Sequence, residues 1–200
     1  FIQGDVLKPE GLREAMESID VAYYLVHSMR ASETGFEERD RQAARNFAAA
    51  ALDAGVKRII YLGGLGVDEA GLSSHLASRH EVGSLLRTGG VPVTEFRAAI
   101  IVGSGSISFE MIRYLTERLP IMVCPRWVKS RCQAIAVRDV LAYLVEALER
   151  PESAGRIFEI GGPHVRTHRE MMLGYAQVRG LRRWLVQVSG LTPRPFSFWG

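Results

Sequence analysis

Between Arg58 and Arg97 the chain writes out one complete strand–helix–strand unit, and no other feature restricts the fold as much. Arg58-Ile-Ile-Tyr-Leu-Gly-Gly64 is an apolar run closed by glycines, the pattern of a strand buried on both faces. From Ser74 to Thr88, Leu76, Val82, Leu85 and Leu86 recur at helical spacing, and Gly89-Gly90 stands behind them. Pro92 to Val102 reads as one long strand that includes Glu95-Phe-Arg97. A strand, a loop, a helix and a second strand in that order form a βαβ unit, which commits the chain to a parallel pair. His75 and Arg79 lie four apart on the helix and share one face.

The same alternation runs along the rest of the chain and predicts an α/β fold, doubly wound around a mainly parallel sheet. Phe1-Ile-Gln3 reads as a strand remnant that ends at Gly4-Asp5, and Pro9 opens a helix reaching about Ser18. Val21-Ala-Tyr-Tyr-Leu-Val26 is a continuous apolar strand, with His27-Ser-Met29 as its loop. Thr34-Gly-Phe-Glu37 has capping-box spacing and starts a helix whose Ala43, Phe47, Ala50 and Ala54 form one stripe, with Gly55 as its stop. After Gly103-Ser-Gly-Ser106 a helix runs to Leu119 and stops at Pro120. Short strands follow at Ile121–Val123, Ala134–Val137 and Arg156–Ile160, with a helix that starts near Asp139 and ends before Pro151. Thr167-His-Arg-Glu170 is a second capping box, opening a helix to about Arg179. Residues 1–180 read as one domain, and residues 181–200 as a tail whose elements the pattern leaves open.

Composition narrows the function classes. The chain has 200 residues, 47% hydrophobic and 24% charged, a profile that supports a sizeable core. No apolar run is long enough to span a membrane, and Phe1-Ile-Gln-Gly-Asp5 has no leader pattern, so a cytoplasmic protein is expected. Net charge is +3 with Lys and Arg mostly scattered singly, which argues against nucleic acid as a partner. Cys124 and Cys132 are eight apart without nearby histidine ligands, so neither a zinc site nor a disulfide framework is expected.

The glycine-rich turn that cradles a dinucleotide's diphosphate belongs to the first strand of such a fold. Neither Gly63-Gly-Leu-Gly66 nor Gly103-Ser-Gly105 stands where that turn belongs. The chain therefore reads as entering the fold at its third strand, without the first βαβ strands.

At this point several segments carry a resemblance. Gly4-Asp5-Val6-Leu7, Asp20 to Met29, Gly55 to Gly66, Ser78 to Gly83, Gly103 to Ser106, Ser108 to Arg113 and Ile135 to Asp139 are similar to an atypical branch of the short-chain dehydrogenase/reductase superfamily. This is the NmrA-like, NAD(P)-binding group of bacterial proteins, in a subset that continues into a domain of unknown function. Leu191-Thr-Pro-Arg194 resembles the junction to that domain. The resemblance implies a Rossmann-like fold, NAD or NADP as cofactor, and oxidoreductase-type chemistry on an unspecified small molecule.

The resemblance also places residues. Asp5 falls where a carboxylate faces the adenine amino group, with Val6 beside the ring. Leu25, Val26 and His27 fall at the strand end that touches the cofactor ribose. Arg97 and Ala98 stand where relatives have an Arg-Pro pair flanking the nicotinamide. Active relatives use Ser, Tyr and Lys. Here Gly63-Gly64 stand at the serine, His75 at the tyrosine and Arg79 at the lysine. Glycine offers no hydroxyl, and arginine does not release its proton. Histidine exchanges protons near neutrality without a helper.

Bland alternatives stand beside each of these. His75 and Arg79 equally fit a solvated helix face, His27 a loop histidine on local backbone, and Asp5 a turn. Gly63 and Gly64 fit a tight bend or a close approach to nicotinamide. Ser104, Ser106, Ser108, Glu110 and Arg113 fit either a substrate pocket or helix caps with a surface ion pair. Two functions follow: an NAD(P)-dependent oxidoreductase with His75 and Arg79 as catalytic residues, or a non-catalytic dinucleotide-binding redox sensor or assembly subunit.

Overall fold

The computed structural model describes residues 2–27, 35–66 and 74–188. In chain order the elements are α1 (Leu12–Ala15), β1 (Val21–Tyr24), α2 (Phe36–Asp53), β2 (Arg58–Gly64), α3 (Ser74–Thr88), β3 (Val93–Ala98), β4 (Ile101–Val102) and α4 (Ile107–Arg118). They continue as β5 (Ile121–Cys124), β6 (Arg131–Cys132), β7 (Ile135–Ala136), α5 (Val137–Glu149), β8 (Ile157–Ile160), β9 (Arg166–Thr167), α6 (His168–Val178) and β10 (Trp184–Gln187). The described residues fall into two compact units. One holds those up to Arg97 with Tyr143–Glu159; the other holds Ala98–Ala142 with those from Ile160 on.

The first unit is built on a sheet with strand order β1-β2-β3-β8. β1 and β2 are parallel, with Val21 opposite Arg58 and Tyr24 opposite Tyr61. Its core joins Tyr24, Ile59, Tyr61 and Val93 from the strands to Ala44, Phe47, Ala48 and Ala51 of α2 and to Val82 and Leu86 of α3. Each large side chain fully buried here stabilises by about 1.5–3 kcal/mol. The alanines of α2 let helix and sheet come close, so the Tyr24 ring meets Phe47 edge-on at 4.9 Å. A Cβ at Gly89 would lie 2.5 Å from that of Ala48, so glycine sets how tightly the end of α3 packs on α2. Arg58 is buried at the start of β2, where its guanidinium donates to the carbonyls of Arg150 (2.9 Å) and Leu148 (3.2 Å). These carbonyls lie in and just past the last turn of α5, so a strand residue caps a helix C-terminus.

The helix Ser74–Thr88 and the strand Arg58–Gly64 form with the bounds the pattern predicts. Other elements differ for local reasons. Gly11 takes a left-handed backbone (φ 84°), so Pro9 does not start a helix and α1 is a single turn. Ile2 and Gln3 are in no strand. β1 ends at Tyr24, which leaves Leu25, Val26 and His27 as an exposed loop. The strand pattern from Pro92 to Val102 breaks at Ala99–Ile100, because β3 pairs in the first unit's sheet while β4 pairs with β7. The capping-box residue Thr34 lies outside the described residues, as do Phe1, Ser28-Met29 and the junction Leu191–Arg194.

The second unit uses two-stranded pairs: β5 with β10 and β4 with β7, both parallel, and β6 with β9 antiparallel. Ile112, Met122, Cys124, Val128 and Met172 form its core, so Cys124 is apolar filler and burial pushes its thiol pKa up. The Thr167 capping box is complete: its hydroxyl accepts from the Glu170 N–H at 3.1 Å, and the Glu170 carboxylate accepts from the Thr167 N–H at 2.6 Å. Among the described residues no helix is long and apolar enough to cross a membrane, and no group of His, Cys, Asp or Glu could hold a metal ion.

Candidate functional site

The chemistry-bearing side chains of the first unit gather where β1, β2 and β3 end and α3 begins. β1 delivers His27 through the short loop after Tyr24, and α3 presents His75 and Arg79 one turn apart. The His27 and His75 rings stand 6.5 Å apart, centre to centre, edge to face. The Arg79 guanidinium donates to the Leu62 carbonyl at 2.6 Å. Both imidazoles sit below the ordinary histidine pKa. For each, partial removal from water is the main cause, with the Arg79 cation second; His75 adds to the effect on His27. Asp40 opposes these shifts weakly. Asp40 is buried on α2, where its carboxylate accepts from the Ser78 hydroxyl at 3.2 Å.

Gly63 and Gly64 have a reason internal to the protein. A Cβ at Gly64 would stand 2.7 Å from Leu76 Cδ2 and 3.5 Å from the Arg79 side chain. At Gly63 it would stand 3.1 Å from the Tyr61 ring and 3.4 Å from a Glu95 oxygen. A side chain at either position would require a neighbouring side chain to shift. The strand end is pinned further by His80, whose Nε2 donates to the Gly64 carbonyl at 3.1 Å, and by Tyr61, whose hydroxyl donates to the Arg79 carbonyl at 2.9 Å. Burial pushes the Tyr61 phenol pKa up to about 12, so it remains a donor at any physiological pH.

Arg97 is buried at the end of β3, and its Nε donates to Glu95 at 2.8 Å. Ala98 is buried beside it. Asp5 sits in an exposed turn with its Oδ1 accepting the Leu7 N–H at 3.0 Å, and the Val6 carbonyl accepts from Asn46 of α2 at 3.0 Å. The structure thus brings His27, Gly64, His75 and Arg79 together, links Gly63 to Arg97 through Glu95, and holds Asp5 and Val6 apart against α2. In the second unit Ser106 caps α4, accepting from the Phe109 N–H, and Arg113 pairs with Glu110. The Ser106 cap and the Glu110–Arg113 pair are thus both formed.

Sequence reasoning missed Asp40, Ser78, Gly83 and Glu95. The signal was present at two of them. Asp40 is a charge on the buried face of α2, in register with Ala43, Ala44 and Phe47, and Glu95 is a charge inside a fully buried strand.

Arg79, Arg97 and the two imidazoles lie at the strand ends, the edge at which a doubly wound sheet binds dinucleotides. Residues 1–97 match the family described as NAD(P)H-binding. No curated protein sequence matches the chain. Among solved structures, a nucleoside-diphosphate-sugar epimerase from Staphylococcus aureus superposes with a TM-score of 0.75 at 18% identity, over 96% of this chain and 68% of its own. The Bordetella bronchiseptica enzyme WbmG, in complex with NAD, gives 0.76 at 18% identity, over 95% and 66%. The triphenylmethane reductase of Citrobacter sp., complexed with NADP(H), gives 0.75 at 19% identity, over 97% and 68%. The chain thus spans about two thirds of these proteins' length.

The fold is Rossmann-like α/β, and it is within residues 1–97 that the chain is similar to the NAD(P)H-binding family.

Proposed function

We propose that this is an NmrA-like bacterial protein of the cytoplasm that binds NAD or NADP and reports on it, without turning over a substrate of its own. The nicotinamide half would lie against His27, His75, Arg79 and Arg97, and Asp5 and Val6 would meet the adenine. Residues 1–180 would form the dinucleotide-binding part and residues 181–200 would lead into a further domain. The carrying observation is that β2 ends in Gly63 and Gly64, so this strand end offers no hydroxyl to polarise a carbonyl. His75 does not replace the missing acid. Its lowered pKa leaves it mostly neutral at pH 7, and a neutral imidazole is a poor proton donor for carbonyl reduction.

The test is a fluorescence titration of the full chain with NADH and NADPH, followed by a panel of quinones and aldehydes. Saturable binding without oxidation of the nucleotide supports the sensor. Turnover that His75→Ala abolishes refutes it.

One observation favours a second reading. His75, neutral above its lowered pKa, could take a hydroxyl proton from an alcohol, while bound oxidised nicotinamide would accept the hydride. That enzyme would run in the oxidative direction, and a panel of alcohols with oxidised nucleotide tests it.

A further inference from the structure

In the second unit, β5 and β10 run parallel, with Trp184 opposite Ile121 and Val186 opposite Val123. Their inner face is taken up by the core, through Met122, Cys124 and Leu185. Side chains alternate across a sheet, so an outer face made for water would be polar. This one is not. Ile121, Val123, Trp184 and Val186 are exposed on it, Trp184 to 69%, and the alternation carries on to the exposed Leu119 and Val188. Apolar side chains gathered in this way mark a docking surface.

Charge decides what that surface would meet. Ala98–Ala142 and Ile160–Trp199 carry twelve Lys and Arg against four Asp and Glu, while the rest of the chain carries thirteen against eighteen. The modest net charge of +3 thus conceals a strongly basic second unit. Several of these cations border the apolar strands. Arg118 and Arg182 stand just before β5 and β10, and the exposed Arg126 and Lys129 follow β5 in the single turn Arg126–Lys129. The Arg118 guanidinium lies 4.3 Å from the centre of the exposed Tyr114 ring. A second copy of this face would bring cation against cation. Nucleic acid would use the cations and leave the apolar strands uncovered. An anionic bilayer takes both, with phosphates for the cations and the headgroup boundary for tryptophan and the aliphatic side chains.

We propose that the outer face of the β5–β10 pair docks on the surface of an anionic phospholipid bilayer, with Trp184 at headgroup level and the flanking cations on lipid phosphates. This does not depend on whether the chain binds a dinucleotide.

The experiment sediments the full chain with vesicles of phosphatidylcholine alone, and with vesicles of phosphatidylcholine and phosphatidylglycerol in equal parts. Expected is binding to the anionic vesicles only, with a blue shift of tryptophan emission that Trp184→Phe diminishes while still binding. Trp184→Ser with Val123→Ser should weaken binding about tenfold or more. Arg126→Ala with Lys129→Ala should weaken it about twentyfold, about fivefold for each cation. All four side chains lie outside the core, so urea midpoints should stay unchanged. If the full chain ignores anionic vesicles, or the serine pair binds them as tightly as the unmodified chain, the proposal is refuted. It fails equally if duplex DNA strips the chain from the vesicles, or if the chain dimerises through this face, seen as a concentration-dependent elution volume that the serine pair abolishes.

Discussion

Gly83→Ala should destabilise the protein in its natural context and stabilise it once Glu95 is removed. Gly83 lies inside α3, where alanine is favoured over glycine by about 1 kcal/mol. Against that gain, the new methyl would sit 2.8–2.9 Å from both oxygens of a fully buried carboxylate. Relief needs a displacement of about 0.5 Å, which at an effective dielectric of about 20 forfeits about 1 kcal/mol of attraction for each ion pair stretched from near 2.8 Å. Glu95 pairs with Arg97 at 2.8 Å and also with Arg87, and the hydrogen-bond geometry of both pairs worsens with the shift. The net expectation is a loss of about 1–2 kcal/mol. In a Glu95→Ala background the collision disappears, and Gly83→Ala should then stabilise by about 1 kcal/mol. Urea unfolding of the four proteins of this cycle, with unchanged slopes, measures both signs. If Gly83→Ala stabilises equally in both backgrounds, the carboxylate does not need the glycine and the reasoning is wrong.

Arg58→Met removes the donor that caps the end of α5 and leaves two carbonyls to find water; a loss of about 2–3 kcal/mol in urea unfolding is expected, and one below about 0.5 kcal/mol would refute the cap. Thr167→Ala breaks the capping box at α6 and should cost about 1 kcal/mol, read as a lower thermal midpoint. His27, His75 and His168 all have folded pKa values below the ordinary one of about 6.5. The unfolded chain therefore binds more protons just below that pH, so stability is full above about 6.5 and falls as the pH drops through the window beneath it. Urea midpoints between pH 5 and 7 check this slope, which should flatten when His27 and His75 are both replaced by Asn.

The local pattern was enough to specify Arg58–Gly64 and Ser74–Thr88, because a doubly covered strand and an amphipathic helix each leave a periodic record. It also located His75, Arg79 and His27, since a strand's end and a helix's first turns meet at the same edge of a parallel sheet. The broken strand after Ala98 was not legible. Ala99 and Ile100 are as apolar as their neighbours, and only the choice between two sheets interrupts the ladder.

The sequence by itself determined that the chain alternates strand and helix and that its strands are covered on both faces. The tertiary structure decided what surrounds the glycines and histidines at the strand ends. A Cβ at Gly64 would meet Leu76, one at Gly63 or Gly83 would meet Glu95, and partial burial, with Arg79 second, lowers the pKa of both histidines. Periodicity records which face of an element is covered. Which side chain covers it depends on contacts between residues far apart in the chain, such as Gly83 with Glu95 and Asp40 with Ser78, and those exist only once the elements have packed.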